Sequence, residues 1–339
     1  MIILLSRTNR LFSPKFYFPS ILLIIALLLP LWLPPFLLYI AIMIALFSYL
    51  GIAWNILCGY TGKLGWGHAA FFGIGAYTST ALYMFYRVSP WIGMLFGAVL
   101  AAVFGAICGI FCFRFKLGGH YLVIATIALA EIVRVIFVNW QDMGGAWGLL
   151  MPVVPDSWFE FQFHTTRIPY YYIALAMLLI ILYVEIKLVN SKLGYYFISI
   201  KDDEGMAESL GINTFKYKVI AMIISAALTA FGGTFYAQYL LYISPDTVMP
   251  MSLSTDILIG TVVGGMGRIA GPIVGAVIIQ LIHELTRAYI GRAGLDYVVA
   301  GTIMVAVALL RPNGVVGWVE KAYNKIIDFL PSFATEETT

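Results

Sequence analysis

Glu131 and Arg134 sit three residues apart in an otherwise apolar run, ATIALAEIVRVIF. On a helix that spacing puts them on one face, where a carboxylate and a guanidinium neutralise each other. An unpaired charge at mid-bilayer costs at least about 2.5–3.5 kcal/mol on insertion scales. The pair therefore reads first as structural and second as a gate or substrate contact. Asp256 and the dipeptide His283–Glu284 are further ionisable groups in apolar surroundings, each within reach of an interface. The histidines, His68, His120, His164 and His283, show no paired metal-ligand spacing, so no metal site is expected. Cys58, Cys108 and Cys112 lie within or at the ends of apolar runs and read as small core hydrophobes.

Two interruptions place polar side chains between apolar runs. CGYTGKLGWGHAAFFGIGAY (Cys58–Tyr77) carries Tyr60 and His68, and KLGGHYLVIAT (Lys116–Thr126) carries His120 and Tyr121. Irregular backbone at membrane depth is tolerated only where protein or a watery cavity surrounds it. Such breaks are either interfacial turns or broken helices, whose free N–H groups can meet a substrate carboxylate. Together with Glu131, Arg134 and Asp256, these four residues are the candidates for lining or gating a path.

The most polar stretch is SIKDDEGMAESLGINTFKYK, Ser199 to Lys218, with seven charged side chains. Asp202, Asp203 and Glu204 favour the positive end of a helix dipole. Ser199 is placed to cap that helix and Gly211 to end it in a left-handed turn. Ala207, Glu208 and Leu210 lie between, and Met206 and Leu210 form a small apolar face. A helix of about ten residues is marginal alone in water, so a partner should stabilise it. The alternative is a solvated connecting loop.

The elements that hold these residues follow from composition. The 339 residues are 61% hydrophobic and 11% charged, with mean hydropathy +0.92. That is an integral membrane protein, an all-α polytopic bundle. Phe36–Leu57, Trp91–Phe113, Ile168–Leu188 and Val219–Leu241 are long enough to span. Phe18–Trp32, Ala69–Tyr86, Tyr121–Val138, Ser252–Gly265, Pro272–Leu285 and Tyr297–Leu310 are shorter or interrupted, giving about 8–10 transmembrane helices. Arg7, Arg10 and Lys15 precede the first run, which ends LWLPP without a small-residue cleavage site, so it reads as a retained helix. Threading ten crossings from a cytoplasmic start puts fifteen Lys and Arg inside and four outside (Arg87, Arg167, Arg287, Arg292), with Arg134 in a span. That bias fixes an orientation with both termini and the 199–218 segment in the cytoplasm. The external loop Asn139–Arg167 is long enough to fold over the outer mouth. The piece WVEKAYNKIIDFL in the tail reads as an amphipathic helix on the inner face. Gly93, Gly97, Gly105 and Gly109 recur along one helix, and Gly267, Gly271 and Gly275 repeat the spacing, as helix-packing stripes. The expected organisation is an N-terminal segment and first helix (1–35), a membrane domain (36–317) and a cytoplasmic tail (318–339).

A net charge of +3 without a basic, aromatic-interleaved run excludes nucleic acid as a partner. GYTGK has too few residues between its glycines for a phosphate loop, and GGMGRIAG lacks the strand and acidic residue of a dinucleotide site. A motor driven by ATP would have to be another chain.

Several blocks between about residues 36 and 317 resemble one family. GYTGKLGWGHAAFFGIGAY, GGHYLVIATIALAEIVRVIFVNW with GGAWGL, IKDDEGMAESLGIN and YISPDTVMP…GGMGRIAGPIVGA are similar to LivM-type permease subunits of branched-chain amino-acid ABC importers. The resemblance implies a LivH-type permease partner and two ATPase subunits that bind the ATP and Mg. It also implies an external substrate-binding protein and a bacterial or archaeal plasma (inner) membrane. It assigns 201–211 to the segment that couples to the ATPase, with Gly211 and Ala207 on the glycine and second alanine of the family's Glu-Ala-Ala-x-x-x-Gly pattern. Gly205 and Met206 depart from that pattern, and Glu204 lies one position early. This chain then binds no cofactor and catalyses nothing itself. The rival reading is an ion-coupled secondary transporter using Glu131, Arg134 and Asp256. A proton-pumping complex subunit would need more mid-helix Lys and Glu than this chain has.

Overall fold

The computed structural model describes residues 23–290, 294–310 and 314–317. The N-terminal basic residues Arg7, Arg10 and Lys15, the start of the Phe18–Trp32 run, Arg292 and the amphipathic tail piece lie outside them. Twelve helices follow a short helical stretch over 23–28 among the described residues. They are α1 (Pro35–Thr61), α2 (His68–Tyr86), α3 (Pro90–Arg114), α4 (His120–Asn139), α5 (Ile168–Val189) and α6 (Lys192–Asp202). After these come α7 (Glu204–Ser209), α8 (Thr214–Leu240), α9 (Pro245–Val248), α10 (Met251–Gly264), α11 (Gly271–Ile290) and α12 (Leu295–Leu310). Among the described residues, six stretches are long and apolar enough to cross a membrane: α1, α3, α4, α5, α8 and the α9–α10 unit.

Local chemistry sets the boundaries. Proline occupies the first turn of α1, α3, α5 and α9, where its missing N–H costs nothing and its fixed φ suits the helix. α1 is apolar on every side, the pattern of a helix surrounded by others. It is the axis of the bundle, packed by α5, α8, α10 and α11. Leu50, Ile52, Trp54, Ile56 and Leu57 of α1 are fully buried.

A second layer forms where α8 lies against α2 and α3. The glycine stripe of α3 serves two neighbours. A Cβ on Gly93 or Gly97 would meet α2, 2.9 Å from Ser79 Cα and 3.1 Å from Gly75 Cα. A Cβ on Gly105 or Gly109 would meet α8, 2.7 Å from Ala226 Cβ and 3.4 Å from Met222 Cβ. The later stripe differs from expectation. Gly271 and Gly275 do sit on α11, where a Cβ at Gly275 would come within 1.6 Å of Gly260 O. Gly267 is not on a helix at all; it lies in the turn between α10 and α11 with φ +78°.

At one end of the bundle the Asn139–Arg167 loop folds back over the helices. Its strand β1 (Leu149–Leu150) pairs antiparallel with β2 (Tyr242–Ile243) after α8, with Leu149 opposite Ile243. Trp91 stacks on the fully buried Phe161 at 4.2 Å, and its Nε1 donates to Trp158 O at 2.7 Å. The opposite end gathers the polar groups described next.

Candidate functional site at the polar end of the bundle

The polar segment after α5 is two helices rather than one. α6 runs to Asp202, Asp203 turns out to extended backbone (φ −157°, ψ 112°), and α7 begins at Glu204. The capping expectation changes accordingly. Asp203 caps α7, its Oδ1 accepting from Met206 N at 2.8 Å. Ser199 lies inside α6 with its hydroxyl donating to Tyr195 O. Asp202 closes α6, not α7, because a capping carboxylate must stand outside the helix it caps. At the other end Gly211 N donates to Glu208 O and Ile212 N to Ala207 O, at 2.9 and 3.0 Å. That bond pair is a Schellman ending, and it requires the left-handed backbone that Gly211 adopts at φ +84°.

α7 is fastened from below by one carboxylate. Glu204 Oε2 accepts from Lys63 Nζ at 2.5 Å, and Glu204 Oε1 accepts from Lys218 Nζ at the start of α8. Thr214 Oγ1 donates to Glu208 Oε1 at 2.7 Å. Burial alone would raise the Glu204 pKa, but hydrogen bonds and charge from Lys218 and Lys63 outweigh it and hold it down to about 2. Ala207 faces inward and is buried, whereas Met206 and Leu210 are 65% and 76% exposed. The result is a short, pinned helix that turns an apolar pair outward.

Beneath it lies a buried polar hub. Glu185 of α5 is fully buried, and its Oε1 accepts from Asn55 Nδ2 and Tyr60 OH, both at 2.9 Å. Asn55 Oδ1 accepts from Gly267 N at 2.7 Å. Lys201 of α6 donates from Nζ to Gly59 O at 2.8 Å. A Cβ at Gly267 would fall 2.7 Å from that Nζ and 2.9 Å from Gly59 O, so the turn needs glycine for space as well as for φ. Four elements thus share one hydrogen-bonded knot: α1, α5, α6 and the α10–α11 turn.

The seven path candidates do not converge on one cluster. Tyr60 belongs to the hub. His68 opens α2, buried, with Nε2 2.8 Å from Ser225 Oγ. Ser225 gives its own proton to Ala53 O at 2.6 Å, so His68 Nε2 carries the hydrogen in that contact. His120 and Tyr121 begin α4 and are exposed. Asp256 of α10 lies with its Oδ1 3.7 Å from His283 Nε2 of α11, and Glu284 meets Arg287 at 3.4 Å. Glu131 and Arg134 do pair, but on the outside of α4 rather than in the core, and Arg134 also binds Asp246.

Sequence reasoning missed Glu185, Asn55, Lys63, Lys218 and Thr214. Glu185 carried the same signal as Glu131, an acid inside an apolar span. Lys63 stood in view within GYTGK.

A bundle of long apolar helices with a short capped helix at its polar end is the build of a polytopic membrane protein. The chain belongs to the family described as branched-chain amino acid transport system, permease component, which it matches over residues 36–308. It is similar to the high-affinity branched-chain amino acid transport system permease protein LivM of Escherichia coli (strain K12), 28% identical over 89% of this chain and 78% of the relative. LivH of the same system in that organism is 29% identical over 42% of this chain and 44% of the relative. The nucleoside ABC transporter permease protein NupC of Lactococcus lactis is 26% identical over 49% of this chain and 55% of the relative. No solved structure matches the chain significantly.

Proposed function

We propose that this chain forms half of the translocation path of an ATP-driven importer in a bacterial or archaeal plasma membrane. Branched-chain or related hydrophobic amino acids are the cargo, as the names of the LivM and LivH relatives suggest. A second, LivH-like permease completes the path, two ATPase subunits bind ATP and Mg on the cytoplasmic side, and an external binding protein delivers substrate. The termini and α7 face the cytoplasm, as the Lys and Arg bias supports.

The observation that carries this reading is α7. Its exposed Met206–Leu210 pair offers a partner a small apolar anchor, while Glu204 ties it to Lys63 and Lys218. A pull on α7 is therefore a pull on α8 and on the loop leading into α2. The hub containing Tyr60 and Glu185 passes the same displacement to α1, α5 and the α10–α11 turn. His68 at the start of α2 and Asp256 of α10 lie on elements so moved.

The test is a cysteine at Met206 in the assembled transporter. Labelled through its thiol with a benzophenone maleimide and irradiated, that cysteine is expected to cross-link to the ATPase subunit with a yield that changes on adding ATP, with none from a cysteine at the buried Ala207. Labelling of Met206 by a membrane-impermeant reagent from outside intact cells overturns the orientation and the proposal with it.

A further inference from the structure

Where the Asn139–Arg167 loop returns to the bundle it leaves a cleft. Two cavities, of about 700 and 370 Å³, share Tyr39, His164 and Arg167 in their walls. The larger lies between the turns that lead into α1 and α5, and the smaller continues to the end of α8. Tyr39 and Tyr239 stack there with ring centres 6.4 Å apart, and Tyr170 meets Tyr239 edge-on at 5.2 Å.

The spans fix the depth of this cleft. α1 begins at Pro35, α5 begins at Ile168 and α8 ends at Leu240, and all three are candidate membrane spans. Their ends meet at the cleft, which therefore lies where hydrocarbon gives way to headgroups, at the end of the bundle opposite α7. The charge is one-sided. Arg167 is a permanent cation, and among the described residues no acid lines either cavity. Asp156, in the same loop, spends its two carboxylate oxygens on His164 N and Thr165 N, at 2.6 and 3.2 Å. His164 Nε2 lies 3.2 Å from Gln162 Oε1. Such walls attract an anion and give the ammonium of an amino acid no carboxylate to meet. On the span side the surface is apolar and open, with Phe36 of α1 48% and Tyr172 of α5 37% exposed.

We propose that this cleft binds an anionic phospholipid of the leaflet opposite α7, with Arg167 on its phosphate and an acyl chain over Phe36 and Tyr172. The planar guanidinium can give two hydrogen bonds to one phosphate. The occupant is argued from charge and depth together. A soluble anion would meet the cation but leave the apolar side of the cleft bare, whereas a phospholipid at this level satisfies both. The proposal stands apart from the coupling reading above, because it concerns the other end of the bundle.

The experiment places p-benzoyl-phenylalanine at Phe36 or, as a control, at Ile180 on the open face of α5. The full transporter is reconstituted into phosphatidylcholine vesicles doped with phosphatidylglycerol and irradiated, and the adducts are identified by peptide mass. At Phe36 phosphatidylglycerol is expected about fivefold above its share of the bilayer, the factor that one cation at a membrane surface supplies. At Ile180 it should follow the bulk share. Arg167→Gln should return Phe36 to the bulk share, while Arg167→Lys keeps the preference. Inorganic phosphate in the buffer should leave the preference in place; its loss there assigns the cleft to a soluble anion and overturns the lipid. The bulk share at Phe36 with Arg167 intact, a preference that survives Arg167→Gln, or capture of a protein chain at Phe36 overturns it equally. None of these outcomes bears on α7.

Discussion

Glu185 and Glu204 show how two carboxylates of one chain are held by opposite means. Glu185 is buried among neutral donors, so its value lies in the geometry it imposes on Asn55 and Tyr60. Glu185→Gln keeps an acceptor oxygen and should change stability by less than about 1 kcal/mol. Glu185→Leu leaves the Tyr60 hydroxyl without an acceptor and should cost about 1–3 kcal/mol, read as a lower Tm in detergent. A Leu variant as stable as Gln removes the hub from the account. Glu204 is instead held by cations. Its pKa lies near 2 against an ordinary 4.5, because the Lys218 and Lys63 contacts outweigh burial. A carboxyl depressed on folding contributes stability that is complete above about pH 4.5 and is lost as pH falls toward about 2. Carboxylate NMR of the full transporter should show Glu204 still ionised at pH 3.5, where exposed glutamates are mostly protonated. Both residues were visible as letters, but their roles depend on Asn55 and Lys218, 130 residues and 14 residues away in sequence, and long-range partners carry no local signature.

At the scale of elements, α7 stands or falls with its last turn. A Cβ at Gly211 would touch nothing within 4 Å, so the glycine is required by its φ of +84° and not by space. Gly211→Val should therefore cost about 1–2 kcal/mol of local backbone strain and unwind the Schellman turn without disturbing membrane packing. Gly211→Asn, which tolerates the left-handed region, should restore most of it. In proteoliposomes the Val variant is expected to assemble and hydrolyse ATP but to lose much of its uptake per ATP, with Asn intermediate. Full coupling in the Val variant would falsify the lever role of α7. Helix positions were legible because proline, glycine and apolar run length act locally. Pro35, Pro90 and Ile168 begin helices within a residue or two of where the runs begin. The break at Asp203 was not, since aspartate is compatible with a first helical turn as well as with the cap before it. Gly267 was misplaced for a related reason: four-residue spacing is blind to a turn, and only the contact with Lys201 and Gly59 shows what that glycine does.

The whole molecule argues between two ways of driving transport. Composition alone identified a membrane bundle, and the number of crossings stayed harder to read because α2, α11 and α12 are short or less apolar than the six candidate spans. What composition left undecided is the energy source. An ion-coupled carrier moves its proton or cation along a chain of groups that change partner during the cycle. Among the described residues the acids in apolar helices each have a neighbour: Glu131 has Arg134, Asp256 lies beside His283, Glu284 has Arg287, and Glu185 has Asn55 and Tyr60. They sit in separate helices and not in one file, whereas the polar contacts that join several elements collect around α7. On the reading proposed above, a machine so built is moved at its end rather than charged along its middle. With its partner subunits in liposomes, the chain should take up a branched-chain amino acid only when ATP is present on the α7 side. Dissipating proton and sodium gradients with ionophores should leave the rate within about twofold, a change of roughly 0.4 kcal/mol in barrier. Uptake that persists without ATP, or that an ionophore abolishes while ATP is saturating, assigns the work to Glu131, Arg134 and Asp256 and removes it from α7.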